Sequence, residues 1–533
     1  MRRAHDDASG LVCCQVGGYA RITPTPSHLQ SRPSPERFDR PGLFHLVTRK
    51  ESRMSNTYIT STIPYVNAQP HIGFALELVQ ADTLARYARR CGSRVRFQTG
   101  TDENAWKNVE SARALGCSPQ EFVARNTEAF RQLGHALNIS VDAFVHTTEA
   151  RHRQAVWTFW QRLRPDDLYT QSYTGRYCSG CEDFLNERDL VDGCCPDHLT
   201  PPVAVQEENY FFRLSAYQAQ IEELLTSGRL AITPEKRRVE VLNFVRQGLH
   251  DISVSRSSAR AEGWGITVPG DESQTIYVWI DALVNYLTGL GFGTHDGWQE
   301  FWGPESRIVH CLGKNVWKFH AVYWPALLLS AGLPLPHELI VHGFLTVNGQ
   351  KIGKSLGNAI DPHVCIARYG ADAVRYYLLR YISPWDDGDF SAERLHLAYT
   401  QDLANNLGNL VSRLTTLCQR GNYQPEFVAG IPEAPDGYHA ALRGYAFDRA
   451  LEILWNTLDG LNQEIEQTEP WKALKIGDLP TLHHQLAPWL QRLSAVAYWL
   501  QPFLPDTSER VLAALTAQPI RVGAPLFPRL ERD

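Results

Sequence analysis

Two short stretches of the chain carry residue types suited to phosphate chemistry. His71-Ile72-Gly73-Phe74 sits between a strand-like run and a helix-like run, and Lys351-Ile352-Gly353-Lys354 follows a hairpin-like one. A helix N-terminus offers unpaired backbone N–H groups and a positive dipole end, so an imidazole placed there can join them in holding a phosphate. Gly73 lacks a Cβ, which lets a flat base approach the backbone. Paired lysines around a mobile glycine suit a polyphosphate. Taken singly, each stretch reads equally well as a surface histidine beside a turn, or as solvated charge. A third stretch points to a metal. Cys178-x-x-Cys181 is followed by Cys195-x-x-His198. Three thiolates and an imidazole make a closed, tetrahedral, structural zinc site. Cys194 competes with Cys195, but the Cys-Pro-x-His pattern favours Cys195.

The elements that must position these residues alternate. "NTYITSTIPYV" reads as a strand. "PHIGFALELVQADTLARYARRCG" reads as a helix, entered after Pro70 and stopped at Gly92. "SRVRFQTGTDEN" is a second strand ending in acidic and polar residues. Such alternation predicts an α/β fold with a doubly wound, parallel, Rossmann-type sheet. We divide the chain into a leader at 1–53, a first catalytic half at 54–168, a cysteine-bearing insertion at 169–269, a second catalytic half at 270–340, a region around the paired lysines at 341–391, and an all-α bundle at 392–533. Asn348-Gly349 is a hairpin turn signal. The leader is rich in Arg, Ser and Pro and reads as disordered. Met54 reads as the functional start.

With 533 residues, the chain exceeds one hydrophobic core. A net charge of −6 supplies no global basic field, so a polyanionic partner must be held by local patches. No apolar run is long enough to cross a bilayer. The eleven cysteines do not form a disulfide framework in a chain this long, which points to a reducing, cytoplasmic setting.

Seven stretches, in order, resemble the methionyl-tRNA synthetases, a family of class I aminoacyl-tRNA synthetases. They are "IPYVNAQPHIGFALELVQAD", "TGTDEN", "YCSGCEDFL", "CCPDH", "IYVWIDALVNYL", "LGKNVWKFHAVYWPA" and "HGFLTVNGQKIGKSLGN". The resemblance covers nearly all of the chain except the leader. It implies ligation of methionine to initiator and elongator methionine tRNA through a methionyl-adenylate, using ATP with Mg²⁺. By resemblance, His71, Lys351 and Lys354 are catalytic, and Gly73, Gly313, Asn315 and His342 join them around ATP. Ile63, Tyr65, Trp279, Ala282, Leu283, Tyr286, Val316 and His320 would wall the amino acid, a box suited to a polarizable thioether. Asp102, at a strand end, would receive the substrate ammonium, and Glu77 and Arg256 would form a polar network behind it. Asn409 and Arg413, four apart on one helix face, and Trp471 would read the anticodon. The insertion, with its structural zinc, would lie near the acceptor end. A monomer is expected.

The chain also departs from the family's pattern. Phe74 stands where a second histidine is expected, and it can neither donate to a phosphate nor carry a proton. Ile352 and Gly353 replace Met and Ser; tyrosyl-tRNA synthetase resembles this with Lys-Phe-Gly-Lys. Asn104, Ala105 and Asn315 replace His, Gly and Asp. These departures motivate two alternatives: a paralogue that hands an aminoacyl-adenylate to a small amine or hydroxylamine, and a tRNA-binding protein without catalysis.

Overall fold

The computed structural model describes residues 56–178, 183–185, 187, 190–196, 200–260, 262–352, 358–425 and 430–530. Its centre is a six-stranded sheet. The strands are β1 (Asn56–Thr60), β2 (Arg94–Thr101), β3 (Ala143–His146), β4 (Ala231–Thr233), β5 (Ser306–Gly313) and β6 (Glu338–His342). They lie in the order β3-β2-β1-β5-β6-β4, and every neighbouring pair is parallel. The chain runs outward from β1 through β2 to β3, then returns to the other side of β1 with β5 and β6. That reversal opens a crevice at the strand C-termini, where ligands of such sheets bind. The doubly wound α/β fold read from the sequence is the fold present.

The segment read as an insertion is only partly one. Leu168–Cys178 and Val203–Phe212 form a long antiparallel pair, flanked by Asp183–Leu185 and Ile252–Ser253. Between them, β4 adds to the edge of the central sheet, with Ala231, Ile232 and Thr233 opposite Glu338, Leu339 and Ile340. Three residues are too few to show a periodicity, so the sequence gives no sign of this strand.

Helix α1 (Ile72–Arg90) follows β1. His71 caps it, Arg89 and Arg90 complement the dipole in its last turn, and Gly92 follows at φ +89°. Helix α2 (Pro119–Ala136) begins with a capping box made by Ser118 and Glu121. Helices α3 (Ala150–Arg162) and α4 (Val278–Thr288) pack on each other. After β6, Leu345–Val347 pairs with Gln350–Lys351 through a turn with Asn348 at φ +54° and Gly349 at φ +72°. The turn signal read from Asn348-Gly349 marks this hairpin.

Helix α5 (Ala371–Arg380) leads to the all-α region: α6 (Asn409–Arg420), α7 (Phe447–Thr468), α8 (Trp471–Ile476), α9 (Leu479–Leu500) and α10 (Pro505–Thr516). In α7 the buried residues Phe447, Leu451, Leu454, Leu458, Leu461 and Ile465 recur at helical spacing. One apolar core runs from Ile59, Ile72 and Leu76 through Tyr376 and Tyr377 to Leu454, Leu493 and Phe503. The bundle therefore shares its core with one face of α1. Among the described residues, no helix is long and apolar enough to cross a membrane.

Candidate active site

At the C-terminal edge of β1, the sequence is Pro-rich until His71 turns the chain into α1. The His71 Nδ1 accepts the backbone N–H of Gly73 at 3.1 Å, satisfying one of the helix's open donors. Burial lowers the pKa of this ring. A neutral imidazole whose Nδ1 accepts must carry its proton on Nε2, leaving that N–H to donate. The glycine has a local reason: a Cβ on Gly73 would come within 2.9 Å of the His71 Cε1. Ile352 reaches the same point from the paired-lysine stretch, its Cδ1 3.9 Å from that Cβ position. The two stretches singled out in the sequence thus meet over the first turn of α1. Of the paired cations, Lys351 is placed by its backbone, opposite Thr346. Gly353 and Lys354 lie outside the described residues.

Phe74 is explained by packing. Its ring meets Phe130 edge-on, with centroids 5.0 Å apart, between α1 and α2. Val66, Phe122 and Val123 complete that apolar cluster. A ring in this position is satisfied by its apolar neighbours.

Across the switch point, the ends of β5 and β6 bring three further residues together. A Cβ on Gly313 would lie 3.0 Å from the Asn315 Oδ1 and 3.6 Å from the His342 ring, so only glycine leaves this corner open. His342 donates from Nδ1 to the Gly343 carbonyl at 2.7 Å, and its Nε2 faces the Glu77 carboxylate at 2.9 Å. Glu77 also accepts from the Thr62 backbone N–H at 2.7 Å and from its hydroxyl at 2.5 Å. One carboxylate on α1 therefore pins the end of β6 and the segment after β1.

The aromatic box stands beside it. Trp279, in the first turn of α4, stacks flat on Phe319 at 3.9 Å and 7°. It meets Tyr65 at 5.9 Å. The Tyr286 hydroxyl bonds the His320 Nε2 at 2.7 Å, and the His320 Nδ1 bonds the Val316 carbonyl at 2.9 Å. Burial pushes the pKa of His320 down to about 4, so the ring is neutral. The carbonyl then fixes the proton on Nδ1, and Nε2 accepts from Tyr286. Ala282, Leu283 and Val316 are buried around these rings. Ile63 packs under Gly100, where a Cβ would sit 3.1 Å from its Cγ2. Asp102 is buried and bridges in parallel to Tyr65. Arg256 lies over Tyr277, its guanidinium 4.0 Å from the centre of that ring and bonded to the Ser255 carbonyl at 2.8 Å.

Several contacts of the site escape sequence reading. His310 on β5 packs on Tyr286 at 4.3 Å, and its Nδ1 is bonded to the Thr60 hydroxyl at 2.7 Å. Burial holds its pKa well below the ordinary value. Asn104 donates to the Asp281 carboxylate and to the Thr147 carbonyl, both at 3.0 Å. The His152 Nε2 lies 3.1 Å from the other Asp281 oxygen. Asn104 thus ties the loop of Asp102 to the helix of Trp279 and Tyr286, and Ala105 is buried behind it. These partners are far apart in sequence and leave no local pattern.

The architecture and this arrangement have relatives. A family model described as "tRNA synthetases class I (M)" matches residues 57–201 and 198–415. The chain belongs to that family. It is 40% identical over 471 residues to a methionine–tRNA ligase of Thermotoga maritima, covering 85% of this chain and 74% of that one. It is 40% identical over 492 residues to the methionine–tRNA ligase of a Nostoc species, covering 89% and 91%. Among solved structures, methionyl-tRNA synthetase of Mycobacterium tuberculosis in complex with methionyl-adenylate superposes with a TM-score of 0.81. Its identity is 34%, over 89% of this chain and all of that one.

Two further groups were singled out in the sequence. Cys178 ends its strand buried, and Cys195 is buried with its N–H on the Thr200 carbonyl at 2.9 Å. Cys194 is more exposed and pairs with Val191 across a turn. Cys181 and His198 lie outside the described residues. In the bundle, Asn409 is exposed at the start of α6, and Arg413 follows one turn on. One guanidinium nitrogen of Arg413 is buried without a hydrogen-bond partner among the described residues. Helix α8 packs against α6, and its first residue, Trp471, is 43% exposed.

Proposed function

We propose that this chain joins methionine to tRNA. The methionine carboxylate attacks the α-phosphorus of ATP, giving methionyl-adenylate and pyrophosphate. The 3′-terminal ribose hydroxyl of tRNA then attacks the carbonyl. An ester bond forms, the bond to the AMP oxygen breaks, and the hydroxyl proton leaves to the departing phosphate or to water. The observation that carries this reading is the approach of Ile352 to Gly73 at the helix N-terminus that His71 caps, beside an aromatic box at the sheet's switch point.

In this reading His71 offers its Nε2–H to a phosphate oxygen, and Lys351 and Lys354 stabilise the pyrophosphate charge as it develops. Gly313, Asn315 and His342 frame the nucleoside, with Gly73 leaving His71 its room. Ile63, Tyr65, Trp279, Ala282, Leu283, Tyr286, Val316 and His320 enclose the thioether, Asp102 takes the ammonium, and Glu77 and Arg256 hold the surrounding loops. Mg²⁺ accompanies ATP. Cys178, Cys181, Cys195 and His198 would hold a zinc ion whose role is to brace the tip of the antiparallel sheet. Asn409, Arg413 and Trp471 would take unstacked bases by hydrogen bonding and stacking, for initiator and elongator tRNA alike. The chain acts as a cytoplasmic monomer with the six segments delimited above, β4 belonging to the central sheet.

The test is pyrophosphate exchange with ATP across the amino acids, followed by charging of both methionine tRNAs. Methionine-dependent exchange together with charging is expected. Exchange without charging would transfer the assignment to a small-molecule acceptor, and tRNA binding without exchange would remove catalysis.

A further inference from the structure

Phe74, the ring that stands where a second histidine is expected, lines a cavity of about 230 Å³. The cavity lies between α1, α2 and the strands β2 and β3. Leu78 of α1, Phe130 of α2 and Phe144 of β3 supply further apolar walls. Among the described residues, none of the aromatic box lines it.

Two observations point to an occupant. The first is Gly134. It lies within α2 and lines the cavity, yet a Cβ there would meet no atom within 4 Å. Glycine weakens a helix relative to residues with a side chain. Neither backbone nor packing asks for it at this position, and its missing side chain keeps the cavity open. The second is Arg131, also in the lining. Its guanidinium lies 4.8 Å from the centre of the Phe144 ring, and one terminal nitrogen bonds the His146 Nε2 at 2.7 Å. Its Nε is buried without a hydrogen-bond partner among the described residues, and the Glu128 carboxylate stands off at 3.6 Å. Buried donors left unpaired are rare, and a carboxylate is an acceptor that a guanidinium holds strongly. His135, exposed, adds an imidazole to the lining. Asp142 is the one carboxylate among the described lining residues. It is already held by Arg89 at 2.6 Å and by the Phe97 N–H at 2.7 Å.

We propose that this cavity binds a small aromatic carboxylate, its ring among Phe74, Phe130 and Phe144 and its acid group on Arg131. The volume is below the roughly 300–1,000 Å³ of drug-sized sites and suits a single ring with a short acidic arm. Edge-to-face contact with three phenyl rings favours an aromatic body over an aliphatic one. Such an occupant lies against Phe74, next in the chain to Gly73, and so reaches the first turn of α1 from outside the site assigned to ATP.

The probe is para-fluorophenylacetate, with para-fluorophenylacetamide as its uncharged counterpart. Each is titrated against the full-length protein in saturating methionine and followed by its fluorine NMR signal. The acid is expected to bind saturably with a Kd of about 1 mM or below, and the amide at least about tenfold more weakly. Gly134→Leu puts a side chain into the open space. It should abolish saturable binding of the acid while melting no lower than the parent, since leucine favours a helix over glycine. Arg131→Gln should bring the acid down to the level of the amide. No saturable binding by the parent, equal binding of acid and amide, or undiminished binding by Gly134→Leu would overturn the site. So would an acid–amide difference that survives Arg131→Gln, which decides the matter even where Gly134→Leu fails to fold. Binding seen only when methionine is withheld would place the probe in the aromatic box and overturn it as well.

Discussion

His320 shows how a buried base can be held neutral for a purpose. Its unfolded value is near 6.5 and its folded value about 4, so the unfolded chain binds the extra proton first. Stability is therefore full above about pH 6.5 and falls as the pH drops toward 4, by about 3 kcal/mol from this residue. Protonation also removes the acceptor that holds the Tyr286 hydroxyl. Urea unfolding across this range should show the decline, and His320→Gln should make it shallower, leaving the share of His71 and His310. Phe74 makes a second prediction. Because its ring packs on Phe130, Phe74→His should lower thermal stability by about 1 kcal/mol and leave the exchange rate within about twofold. A large gain in exchange would show that the missing imidazole matters to the phosphates. The identity of these residues was legible in the sequence as contiguous motifs. Their neighbours were not, because Phe130 stands 56 positions from Phe74 and nothing in either stretch points to the other.

At the scale of elements, the site depends on how loops are tied to helices. Asn104 and His152 share the Asp281 carboxylate between the end of β2, α3 and α4. Burial raises the pKa of Asp281, and the bonds from His152 and Asn104 oppose that rise. Asn104→Ala removes a donor from a buried acceptor, a loss of about 1–3 kcal/mol. It should raise the KM for methionine more than it lowers kcat, because the walls of the box shift while the phosphate grip stays. Steady-state exchange kinetics check this. The helices and long strands were legible from periodicity and caps. Strand β4 and these crosslinks were not, since the first is three residues long and the second join partners up to 177 positions apart.

At the scale of the molecule, one buried ion pair fastens the catalytic sheet to the bundle. Arg375 on α5 is fully buried and bonds Asp82 of α1 at 2.8 Å, the Phe503 carbonyl at 2.7 Å and the Pro502 carbonyl at 3.0 Å. Arg375→Met leaves Asp82 its Arg86 and Ser140 partners but takes the donor from the buried Phe503 and Pro502 carbonyls, and should cost about 1–3 kcal/mol for each orphaned acceptor, with no recovery in the Arg375→Met/Asp82→Leu double variant, which strips Arg86 of its partner as well. Calorimetry of the set tests it. The division into a sheet and a bundle was legible from the loss of strand pattern after residue 391. The continuous core between them was not, because a helix's apolar stripe does not name its partner.

Helix α1 begins at the His71 imidazole and ends at Arg90, which lies 3.8 Å over the Tyr498 ring of the bundle. Nineteen residues of unbroken helix make a beam about 28 Å long. Any tilt of the helical bundle is then also a tilt of His71, with no joint between them to absorb it.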